Sequence, residues 1–188
     1  MTKEEKAYIA GFLDGDGCVM LQLIYRHDYL LGYQIRASIV FYQKQQNRWF
    51  LEWLKRKLSD GYIRNRNDGM SEYTIVGVRP VRKLLQQLHP FLQLKTQQAK
   101  VALAVLAKMP VTGRAMNAKK LMELAIYVDK FLVLNYSKKR TNTSSKVREF
   151  LLSHNLLNPV ETDPYAKLVT WRKVRSHLCD QMSTPELV

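Results

Sequence analysis

Two stretches of period-two alternation constrain the fold of this chain more tightly than any other feature of its sequence. From Val19 to Arg26, residues Val19, Leu21 and Leu23 fall on one side, and Met20, Gln22, Ile24 and Arg26 on the other. From Tyr33 to Phe41 the same rhythm sets Tyr33, Ile35, Ala37, Ile39 and Phe41 against Gln34, Arg36, Ser38 and Val40. Successive side chains of an extended strand point to opposite faces, so each stretch reads as a strand with one face in a core. A loop at 27–32 pairs the two.

The flanking segments change period. Residues 2–14 read as a helix, with Thr2 as N-cap, Glu5 three positions on, and Tyr8, Ile9, Phe12 and Leu13 as the apolar stripe. It ends at Gly15-Asp16-Gly17. A basic amphipathic helix is predicted around 44–58, carrying Trp49, Phe50, Trp53 and Leu54. A second hairpin follows, Tyr62–Arg66 and Glu72–Val78, turning at Asn67-Asp68-Gly69. Helices are then expected over 80–92, 96–109 and 117–134, the first two stopped near Pro90 and before Pro110. The order α-β-β-α-β-β-α-α-α predicts an α+β domain: a four-stranded, mainly antiparallel sheet with helices on one face and a polar face left open.

Charge narrows what that open face can meet. Lys and Arg outnumber Asp and Glu by 30 to 16, for a net charge of +14 and a pI near 9.8. Such a molecule attracts polyanions, nucleic acid first among them. The polar sheet face is either an ordinary solvated surface or a set of base readers. Arg, Gln, Ser, Thr and Glu bond base edges, and a β-ribbon fits the major groove. Cys18 and Cys179 are too few for a disulfide framework, and the opening MTKEEKAYIA lacks a signal-peptide layout, so a reducing compartment is expected. The apolar run Val101–Ala107 falls far short of the roughly 20 residues of a membrane span. A soluble, intracellular protein is predicted.

The segment Ile9–Gly17, IAGFLDGDG, adds small residues at helical spacing and two carboxylates at a helix end. Gly11 and Gly15 lie on one helix face and allow another backbone to come close, unless they simply fray the helix. Asp16 stands where the helix dipole is negative, which favours either a compensating hard cation or a plain polar turn. An EF-hand is ruled out by spacing, because a loop starting at Asp14 would need an oxygen ligand at Cys18 and glycine at Val19.

These residues resemble the LAGLIDADG motif. Ala10, Gly11, Asp14, Asp16 and Gly17 match outright, and Ile9, Phe12, Leu13 and Gly15 are mild replacements. The likeness continues through Gln43 with Arg48-Trp49-Phe50-Leu51, Gly61-Tyr62 with Arg64 and Arg66, Pro90-Phe91-Leu92 with Leu94-Lys95 and Gln98-Ala99, and Leu134-Asn135 with Ser137-Lys138. Over about residues 4–153 the chain is similar to the single-motif, homodimeric branch of the LAGLIDADG homing endonuclease family.

That resemblance implies an αββαββα core whose sheet forms a DNA-binding saddle, followed by C-terminal helices. It implies Mg²⁺ held by Asp16 and the Gly15 carbonyl, with Asp14 supporting the turn. Mn²⁺ would substitute, and Ca²⁺ would bind without supporting cleavage. By the same resemblance Asp16, Gln43 and Lys95 are catalytic, Gln43 positioning water and Lys95 lying near the scissile phosphate. The branch carries a further basic residue four positions after the glutamine, where this sequence has Asn47; Arg48 is adjacent, but about 100° away around a helix. Base and phosphate contacts fall to Gln22, Ile24, Arg26, Gln34, Arg36, Ser38, Arg64, Arg66, Glu72 and Thr74 on the sheet, and to Ser137, Lys138 and Arg140 in a basic loop. Tyr8, Gly11, Phe12 and Gly15 would join two chains. One motif per chain implies a homodimer, and two-fold symmetry a near-palindromic double-stranded DNA target cut once on each strand.

The expected domain covers residues 1–153, with an extension at 154–188. There, Pro159 and Pro164 bracket a linker, and Tyr165–Gln181 reads as a basic helix packed on the domain. The rival readings are an intron RNA-splicing maturase and a DNA-binding protein that does not cut. An intron-encoded protein acting in a chloroplast or mitochondrion is the location the resemblance implies.

Overall fold

The computed structural model describes residues 1–110, 116–135 and 141–157. Helix α1, Lys3–Asp16, starts where the Thr2 hydroxyl accepts the Glu5 N–H and the Glu5 carboxylate accepts the Thr2 N–H, a reciprocal capping box. It runs two residues past the predicted end and passes directly into strand β1, Gly17–Tyr25. Gly17 makes that passage possible: a Cβ there would sit 2.5 Å from the Leu13 side chain and 2.9 Å from the Leu13 backbone.

Strand β2, Tyr33–Lys44, pairs antiparallel with β1, so that Leu21 faces Ala37 and Gln22 faces Arg36. A 3₁₀ turn, Gln45–Asn47, leads into α2, Arg48–Leu58. Strands β3, Tyr62–Asn65, and β4, Met70–Val76, form the second hairpin, and β4 returns beside β2 to give the sheet order β1-β2-β4-β3. The predicted strand to Val78 is shorter in the structure. Gly77, at φ 114°, turns the chain out of the sheet, and Val78 opens α3, Val78–Leu88. After a 3₁₀ turn, His89–Phe91, come α4, Thr96–Lys108, α5, Ala118–Leu134, and α6, Ser144–Ser153. The last of these was not predicted as a separate element.

The helices cover one face of the sheet. Val19, Leu21, Ile35, Ile39, Phe41, Tyr73 and Ile75 point inward and are almost completely buried. Ile9, Ala10 and Leu13 of α1, Leu51 and Leu54 of α2, and Val81, Leu85 and Leu88 of α3 close over them. Alternate apolar positions thus become one continuous core, which also takes in Ala102, Leu106, Leu121 and Leu151 from α4, α5 and α6. Among the described residues, no helix is long and apolar enough to cross a membrane.

Candidate nuclease site and DNA-reading face

The end of α1 is held in place from a distant part of the chain. Asp14 is buried, and its carboxylate accepts the backbone N–H groups of Gln93, Leu94 and Lys95 at 2.7, 3.3 and 2.9 Å. The Lys95 ammonium donates to the Asp14 backbone carbonyl, one of those a helix C-terminus leaves without an intrahelical partner. Asp14 therefore supports the turn, and through it Lys95 is fixed at the C-terminal end of α1. Burial pushes the Cys18 thiol pKa up, and the Lys95 ammonium partly offsets that.

The Asp16 carboxylate is exposed and makes no hydrogen bond or ion pair with any described residue. A free, hard oxygen donor at the negative end of a helix fits a divalent cation. Among the described residues, no group of three or more His, Cys, Asp or Glu could hold a metal within one chain. Gln43 lies at the same end of the sheet: Gly17 is paired with Phe41, so Asp16 and Gln43 sit one and two residues beyond that pair. Gln43 shares its row with Ser71 and Asn65, on the inward side past the last apolar residues.

The outer sheet face carries the expected base readers, in unequal environments. Gln22 and Arg36 are direct cross-strand partners, as are Ile24 and Gln34, and all four are partly open. Arg64 projects into solvent, and its Nε meets the Glu72 carboxylate at 2.8 Å. Arg66 lies beyond the end of β3, with Asp68 at 2.8 Å, Glu72 at 3.9 Å and the Tyr42 ring beneath its guanidinium at 5.9 Å. Arg26 likewise lies past the end of β1. It grips Asp28 through two bonds of 2.9 and 2.7 Å, which hold the Asp28 pKa down to about 2.

Three of the expected readers are covered. Ser38, Thr74 and Glu72 are 2%, 4% and 7% exposed. Each is a short or tethered side chain between larger cross-strand neighbours: Ser38 between Met20 and Val76, Thr74 between Val40 and Tyr62, Glu72 between Tyr42 and Arg64. Alternation identifies the outward positions but not how high each side chain stands above the sheet. The basic-loop residues Ser137, Lys138 and Arg140, and the predicted helix Tyr165–Gln181, lie outside the described residues.

On α1, Tyr8 is 59% exposed, and Gly11 and Gly15 are open, with no described residue within 4 Å of a Cβ built on either. Phe12 is partly buried between Phe41 and Phe50, and Tyr8 meets the edges of Phe50 and Trp53. An apolar, glycine-notched strip thus faces away from the core.

Residues 9–98 match the LAGLIDADG endonuclease family model. The DNA endonuclease I-CvuI of Chlorella vulgaris is 42% identical over 145 residues, spanning 77% of this chain and 88% of that protein. The chain belongs to the LAGLIDADG endonuclease family. A second family member, the DNA endonuclease I-CreI of Chlamydomonas reinhardtii, is 36% identical over 150 residues, or 80% of this chain and 90% of its own. I-CvuI in complex with its target in the presence of 2 mM Ca superimposes with a TM-score of 0.77 at 37% identity, covering 82% of this chain and 97% of I-CvuI. Its complex with the I-CreI target in 2 mM Mg, in which the DNA is not cleaved, gives 0.78 at 39%, covering 83% and 98%. The α+β architecture with a four-stranded antiparallel sheet is the LAGLIDADG homing endonuclease fold.

Sequence reasoning had no access to two features of this site. Asp14 and Lys95 are 81 residues apart, and nothing local signals that one clamps the other. Asn47 attracts attention in the sequence only as a missing positive charge; in the structure its side chain contacts Gln43.

Proposed function

We propose that this LAGLIDADG endonuclease works as a homodimer that makes site-specific double-strand breaks in a long, near-palindromic DNA target. The carrying observation is an exposed Asp16 carboxylate with no partner among the described residues, at the helix end that Lys95 clamps through Asp14, beside a sheet whose open face bears Gln22, Gln34, Arg36 and Arg64. Residues 1–153 form the nuclease domain in this reading, and the protein acts in an organelle.

Asp16 and the Gly15 carbonyl would hold Mg²⁺, with Mn²⁺ as a working substitute and Ca²⁺ as a binding but inactive one. A Mg²⁺ ion held there would supply charge stabilisation for phosphodiester hydrolysis and a more acidic water near neutral pH. Lys95 places a positive charge at the same helix end, fixed before substrate arrives by its bond to the Asp14 carbonyl. Gln43 orients the water. Gln22, Ile24, Arg26, Gln34, Arg36, Arg64 and Arg66 face the major groove; Ser38, Glu72 and Thr74 act from beneath them. Ser137, Lys138 and Arg140 contact phosphates in this reading, which sets affinity without carrying sequence.

Among the described residues a single chain supplies one free carboxylate at this end of the sheet, so a second copy would complete the ligand set. Gly11 and Gly15, with Tyr8 and Phe12 beside them, offer the surface on which two α1 helices approach. The test is cleavage of a randomised palindromic library with Mg²⁺, beside Asp16→Asn and Ca²⁺ controls. Discrete cuts by the parent in Mg²⁺ alone support the reading; intact DNA throughout, with specific binding to folded intron RNA, replaces it with the maturase.

A further inference from the structure

The start of α2 holds an unusual arrangement of two carboxamides. Asn47 occupies the N-cap position of α2, where asparagine ordinarily accepts a bond from the first helical turn. Here it makes no such bond: its backbone, at φ −101° and ψ 17°, departs from the extended geometry of a capping residue. The Asn47 side chain is directed instead to Gln43, with Nδ2 donating to Gln43 Oε1 at 3.2 Å. The Lys44 backbone N–H donates to the same oxygen, also at 3.2 Å. Because a backbone N–H can only donate, it fixes which end of the Gln43 carboxamide is oxygen, and Asn47 must then present its NH₂.

Both acceptor sites of Gln43 Oε1 are thereby filled. What Gln43 has left is its Nε2, with two N–H donors that no described residue engages. The neighbouring cation is committed elsewhere. Arg48 donates through Nε to the Glu52 carboxylate at 3.0 Å and through Nη1 to the side-chain oxygen Oδ1 of Asn65, which in turn accepts the Ser71 hydroxyl at 2.9 Å. Arg48 is thus held between α2 and β3 and does not replace a charge at position 47.

We propose that Asn47 is a positioning residue that acts through Gln43: it locks the Gln43 carboxamide so that Gln43 serves as a pure hydrogen-bond donor, toward an oxygen of the scissile phosphate or of the attacking water. This rests on the nuclease reading above. In that arrangement Gln43 takes no proton, and the charge missing at position 47 is replaced by pre-orientation of a neutral donor.

The test is a mutant cycle in single-turnover cleavage of the library-selected target with Mg²⁺, using the full chain. Asn47→Ala and Asn47→Asp, neither of which can donate to Gln43 at neutral pH, should each cut about 3- to 10-fold more slowly, the worth of one hydrogen bond. Affinity for the target in Ca²⁺ and the thermal midpoint should stay at parental values. The Gln43→Ala,Asn47→Ala double variant should be no slower than Gln43→Ala alone, since Asn47 then has nothing to position. Arg48→Ala should keep the parental rate. Parental rates for either Asn47 variant, or an Asn47→Ala loss that multiplies in full onto that of Gln43→Ala, would overturn the proposal while leaving the nuclease standing. A parent that cuts nothing overturns both.

Discussion

Asp14 and Lys95 hold each other twice, the Asp14 carboxylate accepting the Lys95 N–H at 2.9 Å and the Lys95 ammonium donating to the Asp14 carbonyl. The same carboxylate takes the Gln93 N–H at 2.7 Å, so one buried acid orders the connection from the 3₁₀ turn at His89–Phe91 into α4. Asp14→Asn turns an NH₂ group toward backbone donors and strands at least one of them. It should lower stability by about 2–3 kcal/mol, read as an earlier urea midpoint with unchanged slope. An unchanged midpoint would show that the loop orders itself.

Asp16→Asn should do the opposite. Removing a free carboxylate from the negative end of α1 relieves an unfavourable charge, so the thermal midpoint should stay level or rise slightly. Cleavage should fall by about a thousand-fold or more, since metal-assisted charge stabilisation is worth several kcal/mol. Unfolding and cleavage measured on one preparation separate the two acids: Asp14 for stability, Asp16 for chemistry.

Glu72 binds Arg64 through Nε, which leaves the two terminal guanidinium nitrogens as a fork suited to guanine O6 and N7. Arg64→Ala should cost about 1–3 kcal/mol of preference for guanine at one base pair in each half-site, seen by cleaving single-substituted targets. Glu72→Ala should weaken the same preference and spare the others. A uniform loss across all targets would instead make Arg64 a phosphate contact.

Substitutions at Gly11 and Gly15 test the association. A methyl at either meets none of the described residues, and alanine is favoured over glycine in a helix by about 1 kcal/mol. Each Gly→Ala variant should therefore gain stability as a monomer while losing self-association, measured by sedimentation. A variant that gains stability and keeps its mass would move the dimer contact elsewhere on the surface.

Most of the sheet was legible because the alternation at 19–26 and 33–41 leaves each strand one way to face the core. Boundaries were harder. The strand predicted to Val78 stops at Val76 because Gly77 adopts a positive φ that composition does not reveal. Helix α6 was overlooked although Thr143 caps it and Val147 and Leu151 lie four apart, because a ten-residue helix gives a faint period. At the candidate site, the motif singled out Asp16 by resemblance and the structure leaves its carboxylate exposed, whereas the buried heights of Ser38 and Thr74 depend on neighbours one strand away that no local pattern specifies.

Association through the glycine strip on α1, as proposed above, would have a genetic consequence. An assembly closed by a two-fold axis writes every amino-acid change into its target twice, once in each half. A single substitution at Arg36 or Arg64 would redraw two base pairs together. A lineage of such chains could follow a drifting site only while its halves drifted alike; escape from that restriction would require duplication and fusion of the coding sequence, after which the two α1 strips could diverge.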